Sequence, residues 1–366
     1  MKTAMKTAII AAWRKGEKDV AATLESASKS AGDGARIYAV EDKDASGPGR
    51  TRDRGLEAAH GDGCDVAIII DPHMRFKGDV LARLAAYVRE TGRLAVPRCW
   101  HNDKCSWDAP GCYYAGRIVL KSEDDGVSPR KSALAFKWRK TQAAPGPCGC
   151  VGGACYGMSV EWYMGQAGRP LAALPGWGGD EEALSATAWR WDRGPEMIDG
   201  DVAHLYRACA PWRLTTAEAE AIAASRRVLV QALIPDPGLR RELLAWIGQT
   251  ARKPTEALSR WQSALARAPR MSGEWLAQVV EPAERNGHPV DAGEPVARPV
   301  VRPERKATPP QGRANYGARE DRRTCGKCGS ADSEVVRTVR AGRCIVRYRR
   351  CLVCGQRRAT RDVEPA

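Results

Sequence analysis

Asp71-Pro72-His73 directly follows the apolar run Val66–Ile70, and this junction limits the possible folds more than any other segment. Five apolar residues, four of them β-branched, predict a buried strand of the kind found inside parallel sheets. Open α/β folds bind their ligands at the carboxyl ends of such strands. A carboxylate and an imidazole at that edge are both metal ligands, so the junction predicts a site for a divalent metal ion.

The sequence around this junction alternates between strand and helix patterns. Strands are predicted at residues 7–13, 35–41, 65–70 and 94–97, and helices at residues 17–31, 52–60 and 80–91. An irregular segment rich in Gly, Pro, Trp and Cys, residues 99–155, precedes a helix at 180–190 and a strand at 196–203. The βαβ order predicts an α/β fold built on a largely parallel sheet.

Two later segments carry more polar groups that suit the same site, Gly176–Glu182 and Asp201–Arg207. Together with Asp71-Pro72-His73 they resemble the Asp-x-His, Trp-Gly-Gly-Glu and Gly-His-Val-Phe-Arg segments of the polypeptide N-acetylgalactosaminyltransferases, in the same order. These enzymes are GT-A glycosyltransferases of family 2 type. The resemblance covers roughly residues 7–213 and implies the GT-A fold for that part.

Three shorter matches support the resemblance. Arg50-Thr51-Arg52 with Gly55 resembles the Arg-Thr-Arg-x-x-Gly of that family, Phe136-Lys137-Trp138 its Phe-Lys-Trp, and Val151-Gly152-Gly153 its Ala-Gly-Gly. The resemblance implies a UDP-sugar donor. It also implies that Asp42 contacts the uracil, that Arg50 or Arg52 supports the nucleotide, that Trp177 lies near the sugar, and that Arg207 reaches the diphosphate.

Asp71, His73 and His204 are the predicted metal ligands. Transfer from a nucleoside diphosphate requires neutralisation of the charge that grows on the departing group, and a divalent ion supplies it. One carboxylate with two imidazoles favours Mn²⁺, because nitrogen donors prefer transition metals. Mg²⁺ stays open as an alternative that acts through the diphosphate.

The chain differs from the retaining family after Trp-Gly-Gly, where Asp180 is followed by Glu181 and Glu182. Inverting enzymes with a related Trp-Gly-Gly-Glu-Asp segment, such as the beta-1,4-galactosyltransferases, carry a carboxylate general base at the position of Glu181. Single displacement needs a base that takes the proton of the acceptor hydroxyl. Asp180 and Glu181 are therefore the predicted catalytic residues, with Glu181 as the base and inversion as the expected outcome.

A separate metal site is predicted near the C-terminus. Cys325 and Cys328 form one C-x₂-C pair, Cys351 and Cys354 form a second, and 22 residues separate the pairs. Four thiolates at this spacing predict a Zn²⁺ ribbon, with paired strands between the cysteine pairs. The other cysteines between residues 99 and 155 match no standard spacing, and both a second zinc site and ordinary buried thiols stay open for them.

Charge is concentrated in the same C-terminal region. The chain carries a formal net charge of +14, and residues 301–366 hold 17 Lys and Arg against 7 Asp and Glu. A basic strip on a zinc ribbon suits phosphate backbones, while a solvated basic face or a protein-docking ribbon is the alternative. The predicted organisation is a GT-A domain at 1–213, a helical extension at 214–284, a Pro/Arg-rich linker at 285–323 and a zinc ribbon at 324–366.

The N-terminus predicts a first strand rather than a signal peptide, and 13 cysteines with paired C-x-x-C motifs favour a reducing compartment. We therefore expect a cytoplasmic protein, in the host cytoplasm if a bacteriophage encodes it. These features together predict a glycosyltransferase that acts on a hydroxymethylated DNA base such as 5-hydroxymethylcytosine. A cytoplasmic protein or peptide O-glycosyltransferase and an inactive nucleic-acid-binding relative are the alternatives.

Overall fold

The computed structural model describes residues 6–101, 112–123, 131–139, 145–205 and 215–281, and beyond these the backbone of the strands at 284–285, 288–289, 333–341, 344–351 and 357–363. The chain divides into two compact units, Met1–Tyr206 with Ala210–Glu294, and Arg207–Cys209 with Pro295–Ala366. The predicted boundaries after residues 213, 284 and 323 stay predictions.

The first unit begins with alternating strands and helices and continues with shorter strands. Its elements are β1 (Thr7–Trp13), α1 (Val20–Ala31), β2 (Ala35–Glu41), α2 (Pro48–Gly61), β3 (Val66–Ile70), β4 (Met74–Phe76), α3 (Val80–Thr91), β5 (Ala95–His101), β6 (Cys112–Ser122), β7 (Ser132–Arg139), β8 (Gly146–Pro147), β9 (Cys155–Ser159), α4 (Asp180–Arg190), β10 (Glu196–His204), α5 (Thr216–Leu233), α6 (Pro237–Trp246), α7 (Glu256–Arg267), α8 (Ser272–Gln278), β11 (Val280–Glu281), β12 (Glu284–Arg285) and β13 (His288–Pro289).

The sheet of this unit is mixed, whereas the βαβ order predicted a largely parallel sheet. Strands β2, β1 and β3 lie side by side and run parallel, and β9 follows antiparallel to β3. Strand β5 pairs with β9 on one side and runs parallel to β10. The predicted α/β class is confirmed, and β1, α1 and β2 form a βαβ unit.

Apolar residues line both faces of the parallel half. Ile9 and Ile68 belong to one buried cluster with side chains of α1 and α3, while Ile10 and Ile69 belong to the opposite cluster with side chains of α2. Successive strand residues point to opposite faces, so only a strand covered on both sides needs an uninterrupted apolar run. The run at Val66–Ile70 therefore reflects its central place in the sheet.

Most predicted elements are confirmed, but two helices begin at other residues than predicted and one strand was not predicted. Helix α2 begins at Pro48, four residues before the predicted start, because proline at the first helical turn needs no amide partner. Helix α1 begins at Val20, since the residues before it form turns. Strand β4 was not predicted; three residues directly after His73 pair antiparallel with the end of β10.

The predicted helical extension forms α5 to α8. Helix α5 begins with a capping box, in which the Thr215 side chain accepts a hydrogen bond from the Glu218 amide and Glu218 accepts one from the Thr215 amide. Helix α7 buries Trp261, whose indole N–H donates to Thr187 Oγ1 of α4 at 2.9 Å. The extension therefore packs directly on the helix that follows the Trp-Gly-Gly segment.

The second unit contains a three-stranded antiparallel sheet. Its strands are β14 (Ser333–Ala341), β15 (Cys344–Cys351) and β16 (Arg357–Val363), with β15 in the middle. The predicted pair of strands between the cysteine pairs is present as β14 and β15. In the part of the chain that the structure describes, no helix is both long and apolar enough to cross a membrane.

Candidate functional site

Asp71, His73 and His204 form a cluster at the carboxyl end of β3. Each offers one ligand atom, and these atoms all lie within 4.8 Å of one another. His204 Nε2 is 3.1 Å from Asp71 Oδ2, and the two imidazole ring centres are 4.6 Å apart. Two ligands at right angles, each about 2.1 Å from one ion, lie about 3 Å apart, so this donor set fits a first-row divalent ion.

Strand β4 brings the third ligand to the first two. His204, the last residue of β10, pairs with Met74, and the Leu205 amide donates to the His73 carbonyl oxygen at 3.0 Å. The turn itself is held from α1, where the buried Thr23 hydroxyl donates to the Pro72 carbonyl oxygen and accepts from the Met74 amide, both at 3.0 Å. Sequence reasoning missed Thr23, and no local pattern marks it.

Asp71 is held as an anion. Burial of the carboxyl raises its pKa, but the hydrogen bond with His204 and the charges of Arg52 and the two imidazoles outweigh burial and lower the pKa to about 2. The Asp71 amide also donates to the Ala154 carbonyl oxygen at 2.9 Å, next to Gly152-Gly153. A carboxylate that is ionised and fixed in this way is suited to bind a cation.

Glu17 lies behind His73. Its carboxylate oxygen Oε2 is 3.7 Å from His73 Nδ1, and the Glu17 side chain is 2% exposed. Histidines that bind metals usually turn their other ring nitrogen toward a carboxylate, which orients the ring. Sequence reasoning placed Glu17 at the start of a helix, whereas the structure places it in the turn between β1 and α1.

The Trp-Gly-Gly segment forms a tight loop before α4. Gly178 and Gly179 have φ angles of +83° and +95°, which L side chains rarely adopt. Helix α5 supports the loop, because the Ser225 hydroxyl accepts a hydrogen bond from the Gly176 amide at 3.0 Å. Trp177 remains 43% exposed, so its ring is available for contact with a ligand.

Asp180, Glu181 and Glu182 occupy the first turn of α4, where the helix dipole favours negative charge. Burial raises the pKa of Glu181, against the lowering influence of Arg52. Burial and the charge of Glu181 raise the pKa of Glu182 to about 7, although Arg226 of α5 lowers it. Glu182 accepts a hydrogen bond from the Phe136 amide at 2.9 Å, which ties α4 to β7.

Glu181 faces Gly153 directly. A Cβ atom added to residue 153 would overlap Glu181 Oε1, so the absence of a side chain there makes room for the carboxylate. The same short segment contributes the Gly153 carbonyl oxygen, which lies 3.3 Å from Arg52 Nη2. The structure thus brings Glu181, Arg52 and the metal ligand Asp71 together around the Gly-Gly segment.

The residues predicted to contact the nucleotide of the sugar donor lie in different environments. Asp42 directly follows β2, and its carboxylate accepts hydrogen bonds from the Gly47 amide and the Ser46 hydroxyl of its own loop, each at 3.2 Å. Arg50 is exposed on α2. Arg52, by contrast, is 4% exposed and points inward to Asp71, with Nη2 2.7 Å from Oδ1.

Several predicted residues lie outside the described residues or have no described side chain. Arg207, Cys325, Cys328 and Cys354 lie outside, and Cys351 is described only through the backbone of β15. Among the described side chains, Asp71, His73 and His204 are the one group of three or more His, Cys, Asp or Glu residues with metal-ligand geometry. Of the cysteines between residues 99 and 155, those with described side chains, Cys99, Cys148, Cys150 and Cys155, join no such group.

Comparisons with known proteins give weak likenesses to solved structures. No family model and no curated protein matches the sequence. Among solved structures, A197 from STIV has a TM-score of 0.33 at 10% identity over 53% of this chain and 82% of its own. Residues 1–349 of S. aureus TarS have a TM-score of 0.38 at 10% identity over 66% of this chain and 70% of their own. Similarity at this level assigns neither a family nor a substrate.

Proposed function

We propose that this protein is a metal-dependent glycosyltransferase that moves a sugar from a UDP-sugar to a hydroxymethylated base in DNA, such as 5-hydroxymethylcytosine. The observation that carries the proposal is the meeting of Asp71, His73 and His204 at the carboxyl edge of the sheet, with the acidic first turn of α4 beside them. Ligand sites of open α/β folds lie at this edge.

Asp71, His73 and His204 would hold Mn²⁺ or Mg²⁺, and the bound ion would neutralise charge on the departing diphosphate. Trp177, exposed on its loop, offers an apolar face to the sugar. Arg207 would reach the diphosphate and Asp42 the uracil, as the sequence resemblance implies. An arginine suits the first role because its planar fork can donate two hydrogen bonds to phosphate.

Glu181 is the proposed general base. Its carboxylate accepts the proton of the acceptor hydroxyl as the oxygen bonds to the anomeric carbon, and the sugar leaves the diphosphate with inversion. Burial raises its pKa from the ordinary value, which brings a carboxylate closer to the range in which general bases work at neutral pH. The adjacent Asp180, paired with Arg52, holds the first turn of α4 in place.

The second unit supports DNA as the acceptor. In its sheet Arg349 stands directly opposite Arg358, and Arg350 opposite Arg357. Strands this rich in arginine suit the phosphate backbone of a nucleic acid. The four ribbon cysteines, Cys325, Cys328, Cys351 and Cys354, would bind Zn²⁺ and stabilise a module too small to fold on apolar burial alone.

The test is mass spectrometry of nucleosides from hydroxymethylcytosine-containing DNA incubated with the protein, Mn²⁺ and a panel of UDP-sugars, with unmodified DNA as control. We expect a mass gain of one hexose or N-acetylhexosamine on the modified base alone. Transfer to Ser/Thr peptides and not to DNA would favour the O-glycosyltransferase alternative. No binding of any UDP-sugar in the presence of Mn²⁺ would support the inactive relative.

The role of Glu181 is tested separately. Glu181→Gln keeps the shape of the side chain but removes its capacity to accept the proton, so transfer should fall by about 100-fold or more. Glu90→Gln, on the exposed face of α3, is the matched control and should leave transfer unchanged. Near-normal turnover of Glu181→Gln, or NMR of the product showing retained anomeric configuration, would reject the inverting mechanism.

A further inference from the structure

One guanidinium connects the metal group to the helix that carries Glu181. Arg52 lies on α2 and donates from Nη2 to Asp71 Oδ1 at 2.7 Å, while its Nη1 forms an ion pair with Asp180 at the start of α4. Its carbon Cζ lies 5.8 Å from the centre of the Tyr156 ring. Four separate segments, α2, the end of β3, β9 and α4, therefore meet at this one side chain.

We propose that Arg52 is a positioning residue that holds Asp71 and Asp180 at the same time, and that it is not a nucleotide ligand. Both terminal nitrogens of its guanidinium are occupied by carboxylates, and the side chain is buried. The proposal rests on the proposed function only in that Asp71 binds a metal ion. It replaces the nucleotide contact that the sequence resemblance implies for this arginine.

The geometry explains why the residue is arginine. Its rigid fork presents separate donors to two carboxylates, whereas a lysine ammonium is a single point on a flexible stem. By occupying Asp71 Oδ1, the fork leaves Oδ2 turned toward His204 Nε2, 3.1 Å away. Partners that orient a metal ligand in this manner typically affect metal affinity by about 10- to 100-fold.

The charge of Arg52 should lower the affinity of the site for a metal ion, whereas its hydrogen bonds should raise it. A guanidinium next to a cation site repels the cation, so a neutral replacement would mix lost orientation with relieved repulsion. Arg52→Lys keeps the positive charge and removes the fork, and it therefore isolates the positioning effect. Arg54→Lys is the matched control, since Arg54 lies on the same helix and pairs with Asp44 at the surface.

The experiment is titration of the full-length variants with Mn²⁺, followed by the EPR signal of free Mn²⁺, with thermal unfolding by circular dichroism in parallel. We expect Arg52→Lys to weaken Mn²⁺ binding by about 10-fold or more while the protein still unfolds cooperatively, and Arg54→Lys to bind as the wild type does. Unchanged affinity of folded Arg52→Lys would overturn the proposal, whether or not sugar transfer is observed.

A second variant tests whether the ion pair between Arg52 and Asp180 also supports Mn²⁺ binding. It remains informative if Arg52→Lys fails to fold. Asp180→Asn leaves the Asp71 pair in place but releases the other end of the guanidinium, so Mn²⁺ affinity should fall here too. In the double variant the two effects should not add, because both act through one side chain. Unchanged affinity of Asp180→Asn, or additive effects, would refute the coupling. Wild-type protein that takes up no Mn²⁺ would overturn the metal site itself.

Discussion

Gly153→Ala should disable the candidate base without unfolding the protein. A Cβ at residue 153 would overlap Glu181 Oε1, and real Cβ atoms essentially never approach a heavy atom within 3.0 Å. The obstacle is the far end of a flexible side chain, so the carboxylate can move aside by the required distance, which is more than about 1 Å, at little cost to folding. A misplacement of about 1 Å at a reacting group can cost about 100-fold in rate, or ~2.7 kcal/mol of activation free energy.

The assay compares the turnover number for sugar transfer between wild type and Gly153→Ala, with thermal unfolding of both proteins. Gly149→Ala is the control, because a Cβ there would meet the Gly116 carbonyl oxygen at 3.5 Å, an ordinary contact distance. We expect a loss near 100-fold for residue 153 and none for residue 149. Turnover of Gly153→Ala within twofold of the wild type would refute the placement of Glu181 as the base.

Three further predictions concern the metal, pH and DNA. Glu17→Gln should weaken Mn²⁺ binding about 10-fold by releasing His73, and the exposed Glu25→Gln should not; equal affinities in an EPR titration would contradict this role. Burial raises the pKa of Glu182 from 4.5 to about 7, so the folded state holds this proton more tightly than the unfolded state. The protonated carboxyl therefore contributes up to about 3 kcal/mol to the free energy of unfolding below about pH 4.5, and this contribution is lost as the pH rises through 7. Urea unfolding at several pH values should show this loss for the wild type, and Glu182→Gln should reduce the pH dependence. Deletion of residues 324–366 should reduce both DNA affinity and its dependence on salt while hydrolysis of the sugar nucleotide continues, and unchanged DNA modification by the truncated protein would argue against a DNA-binding ribbon.

The alternating pattern of the N-terminal half was sufficient to predict β1, β2 and β3, the three strands that run parallel there. The strands at residues 7–13 and 35–41 and the helix at 80–91 occur with the predicted bounds. The local pattern of apolar residues predicts these elements, because a strand covered on both faces must be apolar throughout and a helix covered on one face must be apolar every three to four residues. Strand β4 has only three residues, too few to show either period.

The metal cluster could be anticipated, but its supports could not. Asp71 and His73 follow a recognisable strand, and the order of motifs added His204. Nothing in the sequence distinguishes Arg52 from Arg50, yet one is buried between two carboxylates and the other is exposed. Two residues apart on a helix, they are separated by a rotation of about 200° and so point to nearly opposite sides, and only the packing of α2 decides which one faces inward.

The sequence by itself therefore determined the α/β class, the strand edge at which the ligands gather and the chemical character of those ligands. The tertiary structure alone decided which distant groups orient them: Glu17 against His73, Thr23 on the turn at Pro72, and Asp180 against Arg52. Hydrophobic periodicity records which face of each element is buried. It does not record how loops close or how elements far apart in the sequence are packed, and the partners of a site depend on those two things.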